Sequence, residues 1–137
     1  MPQYIPPPQL VALPGDITAI ADDATSDSAV IVTRRIWTVT AAQSPFTVPQ
    51  RGDARVDVDS TGGAVTVRLP AASGHAERYD ITDKAGAALT NDVIITTVEG
   101  GDRVQDQDGS MTTSVTMSKN NQCWSYMSDG VSAYTLH

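Results

Sequence analysis

Cysteine, aromatic residues and positive charge are all scarce in this chain. Cys123 stands alone, which excludes an intrachain disulfide framework. One Phe, two Trp and four Tyr are the only aromatics in 137 residues. The core must therefore come from Val, Ile, Leu and Ala. That is thin for an isolated sandwich and favours burial between copies of the chain. Nine Lys and Arg face sixteen acidic residues, for a net charge of −7. No basic stripe exists to displace counterions from phosphates, which excludes a nucleic-acid partner. Arg34-Arg35 is the one basic cluster. No apolar run approaches the roughly 20 residues of a membrane-spanning helix. The opening Met1-Pro2-Gln3-Tyr4 lacks the basic start and apolar run of a signal peptide. These absences predict synthesis in the cytoplasm and no membrane partner.

What is present points to β-structure. Fourteen of the sixteen acidic residues are Asp, which favours turns over helix interiors. Val and Thr are abundant, as pleated surfaces prefer. Val65-Thr66-Val67-Arg68-Leu69 alternates apolar and polar residues, the pattern of a strand with one buried side. Pro70 has no N–H for a ladder and ends it. Tyr79-Asp80-Ile81-Thr82 repeats the alternation, and Asp83-Lys84-Ala85-Gly86 has tight-turn chemistry. Residues 29–40, AVIVTRRIWTVT, form the strongest strand signal, with apolar residues on both faces. Residues 51–60 predict a strand with Val56 and Val58 inward, Asp57 and Asp59 outward and paired with Arg across the ladder. Thr61-Gly62-Gly63 then predicts a hairpin turn into 64–69. Further strands are expected at 93–98, 114–117, 123–127 and 133–136, with a polar loop over 103–109. Turn signals recur about every ten residues, the rhythm of a sandwich or barrel. The expected class is all-β, a small antiparallel β-sandwich or barrel.

The N-terminal residues read differently. Pro6-Pro7-Pro8 enforces an extended polyproline conformation. Tyr4, Ile5, Leu10, Val11 and Leu13 make the surrounding stretch apolar. This composition predicts an arm that docks on a partner through Tyr4, Ile5, Pro6, Pro7, Pro8, Leu10, Val11 and Leu13. Residues 15–28 carry an a/d-like spacing at Ile17, Ala21, Ala24 and Ser28, but their Asp and Ser content favours a loop with at most one helical turn. The expected division is an arm and linker over 1–28 and an all-β module over 29–137.

The order of residues in the module resembles a pattern in structural proteins of tailed bacteriophages. It is carried by Val58-Asp59-Ser60-Thr61-Gly62-Gly63-Ala64-Val65-Thr66-Val67-Arg68-Leu69-Pro70 and by Tyr79-Asp80-Ile81-Thr82-Asp83-Lys84-Ala85-Gly86-Ala87. It continues through Asn91-Asp92-Val93-Ile94-Ile95, Gly100-Gly101-Asp102-Arg103-Val104, Cys123-Trp124-Ser125-Tyr126 and Ser128-Asp129-Gly130. The resemblance spans about Trp37 to His137. His75-Ala76-Glu77-Arg78 departs from it, where the pattern has a small residue and Lys or Thr before the Tyr. The resemblance implies a non-enzymatic, trimeric virion module without a cofactor, of the kind found in tail fibres, head fibres and capsid decoration proteins. With 137 residues from Met1 and no long heptad run, the chain is short for a tail fibre. A capsid decoration (cement) or head-fibre protein is therefore expected, its arm reaching the major capsid protein or another virion protein. The alternative is a tail-fibre or tail-tip component, or a receptor-binding adhesin that takes a host-surface glycan.

The remaining motifs each have a plain reading beside the sharp one. Arg51-Gly52-Asp53 matches an integrin-read tripeptide, yet serves equally as a turn before a strand. Asp106-Gln107-Asp108-Gly109 resembles the middle of a calcium loop, but Val104 and Val115 stand where that loop needs ligands. His75 sits in a Gly/Ser turn and His137 is the last residue in the sequence, so no nucleophilic triad can be argued from them. Cys123 is expected to be packed and inert. Trp37, Trp124, Tyr126 and Tyr134 are expected to fill core or subunit contacts rather than a sugar platform.

Overall fold

The computed structural model describes the backbone of residues 16–23 and 28–34, and residues 35–98 and 101–137 in full. The expected arm, residues 1–14, lies outside the described residues. Twelve strands are described: β1 (Asp16–Asp23), β2 (Ser28–Thr40), β3 (Phe46–Thr47), β4 (Ala54–Asp59), β5 (Val65–Leu69), β6 (Arg78–Asp83), β7 (Val93–Thr97), β8 (Arg103–Gln105), β9 (Met111–Thr112), β10 (Ser114–Thr116), β11 (Cys123–Ser128) and β12 (Ala133–Leu136). They form an eight-stranded sheet, β1-β2-β4-β6-β11-β12-β8-β9, and a four-stranded sheet, β10-β7-β5-β3. The all-β class holds, and the strand directions are mixed rather than antiparallel.

The chain alternates between the sheets as it advances. β2, β4 and β6 run parallel in the large sheet, and β3, β5 and β7 run parallel in the small one. This makes a short two-sheet spiral. The C-terminal strands close it, β11 pairing antiparallel with both β6 and β12. Thr61-Gly62-Gly63 therefore does not make a hairpin: it carries the chain from β4 in one sheet to β5 in the other. Alternation within a strand reveals its buried face but not its neighbour, which is why the local sequence suggests otherwise.

Two further expectations change. Residues 16–23 form β1 instead of a loop, paired with β2 from Asp16↔Arg35 to Asp23↔Ser28. β4 takes up β2 only from Arg35 to Thr40. The ladder groups of the first half of β2 need another partner, and β1 supplies it despite its Asp content. Within the expected loop 103–109, Arg103–Gln105 is a strand because Val104 is fully buried beside Tyr134 in the register.

The core lies between the sheets. Val39, Val56, Val58, Ile81 and Tyr126 face Val65, Val67, Leu69, Val93 and Ile95, all fully buried. Asp83 is also buried, at the end of β6. Its Oδ1 accepts hydrogen bonds from the backbone N–H groups of Gly86 (3.1 Å) and Ala87 (3.3 Å). Its Oδ2 accepts from Ala88 (3.1 Å) and Asn121 (3.0 Å). One carboxylate thus closes the turn after β6 and holds the turn before β11. Gly86 is needed here twice over: its φ is +71°, and a Cβ would lie 2.8 Å from Asn121 Oδ1.

Burial first pushes the Tyr79, Tyr126 and Tyr134 hydroxyls well above the usual phenol range; Glu77 comes second for Tyr79, Asp106 for Tyr126 and the neighbouring Tyr79 for Tyr134. Folding favours their neutral form, so this contribution is complete below about pH 10 and is lost as pH rises through the folded-state values. In an alkaline titration, three of the four tyrosines should ionise only together with loss of the far-UV signal. Tyrosinate absorbance that rises for all four while the protein stays folded would contradict the packing. A second test compares two glycines. Gly74 has φ +81°, but a Cβ there would meet nothing within 4 Å, unlike one at Gly86. Urea unfolding should show Gly86→Ala destabilising by about 2 kcal/mol and Gly74→Ala by about 1 kcal/mol; equal effects would count against the Asn121 contact.

Candidate functional site

The richest charged constellation lies on the outer face of the large sheet. Two neighbouring parallel strands repeat Arg-x-Asp: Arg55-Val56-Asp57 in β4 and Arg78-Tyr79-Asp80 in β6. The register sets Arg55 opposite Asp80 and Asp57 opposite Thr82. Period-two alternation turns Val56 and Tyr79 inward and both Arg and Asp outward. Arg55 Nε donates to Asp57 Oδ1 at 2.6 Å, and Arg78 Nε donates to Asp80 Oδ1 at 3.1 Å. Ser125 Oγ of β11 donates to the same Asp80 oxygen at 2.6 Å. Lys84 Nζ reaches Asp57 Oδ2 at 3.5 Å. The result is a zigzag of alternating charge, Arg78–Asp80–Arg55–Asp57–Lys84, across two strands.

Asp57 corrects the expectation of an outward carboxylate paired with an Arg across the ladder. It does project outward, yet it is only 3% exposed, covered by its own partners. Its Arg is not across the ladder but two residues back on the same strand. The hydrogen bond to Asp57 in turn holds the Arg55 guanidinium above its ordinary value. Beside Asp57 a shallow cavity of about 290 Å³ is lined by Thr38, Val58, Asp59, Lys84 and Ala85. Asp59 is already engaged, accepting from Thr61 Oγ1 (2.6 Å) and Thr61 N (3.0 Å), and these bonds lower its carboxyl below the usual range. The arrangement orders charge and fixes strand register.

The other residues singled out in the sequence fall into structural settings. In Arg51-Gly52-Asp53, Gly52 has φ +93° and Asp53 Oδ1 accepts from the N–H of Arg78 at 2.8 Å. The tripeptide anchors the start of β6. Asp106 and Asp108 act within the β8–β9 turn: Asp106 Oδ1 accepts from Gln107 N, and Asp108 Oδ1 from Ser110 N and Oγ. Among the described residues, no three His, Cys, Asp or Glu side chains are placed to hold a metal ion. Asp129 accepts from the N–H groups of Val131, Ser132 and Ala133, which lowers its carboxyl and folds the β11–β12 turn.

Cys123, expected to be packed, is exposed, because Trp124 takes the inward position and alternation turns Cys123 out. Thr82 Oγ1 donates to its Sγ at 3.1 Å. His75 is nearly buried, with a side chain 4% exposed. Its Nε2 lies 2.7 Å from the Ala71 carbonyl oxygen, its Nδ1 meets the Glu77 carboxylate, and its ring packs against Tyr79 and Tyr134. Sequence reading misses this cluster; the available signal is a His and a Glu two apart beside an alternating strand. Tyr134 donates to the Pro70 carbonyl at 2.6 Å and Ser128 Oγ to the Ala72 carbonyl at 2.5 Å, so the 70–77 loop is stitched to β11 and β12. Trp124, Tyr126 and Tyr134 are buried, and Trp37 packs half-buried on Phe46 at 5.7 Å. These aromatics fill the core, as expected, rather than forming a sugar platform. The expected partner-binding residues, Tyr4 to Leu13, lie outside the described residues.

The zigzag makes an asymmetric prediction. Arg55→Met leaves the buried Asp57 carboxylate with only the distant Lys84 and should cost about 2 kcal/mol. Asp57→Val leaves a guanidinium whose side chain is 41% exposed, which water can solvate, and should cost less than about 1 kcal/mol. Urea unfolding of the two variants checks the order; a larger loss in Asp57→Val would contradict it.

A scan against family models and a search of the curated proteins find no match to this chain.

Proposed function

We propose that this chain is a non-enzymatic structural protein of a tailed-bacteriophage virion. In this reading it is a homotrimeric capsid decoration (cement) or head-fibre protein, held to the major capsid protein or another virion protein by its N-terminal arm. One observation carries the proposal. The residues on which the phage resemblance rests are those that hold the spiral together. Asp83 gathers four backbone N–H groups. Asn91 Nδ2 donates to the Ser60 carbonyl at 2.7 Å, tying the β6–β7 connection to the Gly62-Gly63 turn. The Pro70 carbonyl accepts from Tyr134, and Asp129 folds the last turn. Their polar atoms act on the chain's own backbone, which supports a role in construction.

In this reading the arm supplies attachment. Its Pro run limits the conformational entropy lost on docking, and Tyr4, Ile5, Leu10, Val11 and Leu13 supply apolar contact. A protein that binds the assembled shell in preference to its free subunits stabilises the shell by mass action. The test is deletion of residues 1–14, with binding to decoration-free capsids measured by cosedimentation. The truncated protein should keep its far-UV spectrum and its trimeric mass but lose capsid occupancy. Retained occupancy overturns attachment through the arm, and a monomeric mass for the full chain overturns the trimer.

A further inference from the structure

We draw no further inference here: the strongest candidate, the two-stranded extension in which β1 pairs with the first half of β2 beyond the residues that β4 takes up, carries nothing because nothing in the structure shows what covers it.

Discussion

The Asp83 carboxylate is the interaction on which the rest of the structure depends. A buried ionised carboxylate is costly unless its oxygens are fully engaged. Here four backbone N–H groups engage it, from two segments far apart in sequence. Each hydrogen bond to a charged group contributes about 1.5–3 kcal/mol. The carboxylate also solves a connection problem. After β6 the chain must leave the large sheet for β7 in the small one, and the turn before β11 must come back against it. Backbone N–H groups in both turns have no ladder partner, and Asp83 accepts from both turns at once.

Around that anchor the spiral follows from strand direction. Parallel neighbours need a crossover, and here each crossover passes through the other sheet. β3 and β5 are the crossovers between successive large-sheet strands, so the core is built by the connections themselves. That arrangement suits a chain with few aromatics. Fully buried Val, Ile and Leu side chains recur at alternate positions of β4, β5 and β7, and Ile81 lies between Tyr79 and Asp83 at the same positions of β6. The outer Arg-x-Asp zigzag adds specificity. A one-residue slip of β4 or β6 would turn Val56 or Ile81 out of the core. A two-residue slip would keep the faces but could set Arg55 opposite Arg78 and Asp57 opposite Asp80, pairing like charges.

Much of this is legible from residue order, and what is not has physical causes. Strand positions at β4, β5, β6, β7, β11 and β12 follow from residue pattern, buried faces at β4, β5 and β6 follow from alternation, and Pro70 and Gly86 mark strand and turn ends. In β11 the face is missed, since Cys123 points outward. The partners of those strands do not follow. Thr61-Gly62-Gly63 has the composition of a hairpin turn, yet the same positive-φ glycine at Gly63 serves a change of sheet. β1 is hidden because pairing with β2 overrides the low strand propensity of Asp. Asp57 reads as paired with an Arg across the ladder, because alternation shows which side chains share the outer face but not which of them meet; its partner is Arg55, two residues back on the same strand. The His75–Glu77 contact leaves only the weak signal of their spacing, because burial of the 70–77 loop depends on β12, almost sixty residues later.

Amide hydrogen exchange tests the role of Asp83 most directly. Gly86, Ala87, Ala88 and Asn121 lie in turns, where amides ordinarily exchange through local opening. With the Asp83 carboxylate as their acceptor, their protection should match that of Ile81 and Ile95 in the core strands and fall with global stability as urea is added. Exchange as fast as at Gln107 and Gly109, in the exposed β8–β9 turn, would contradict the account.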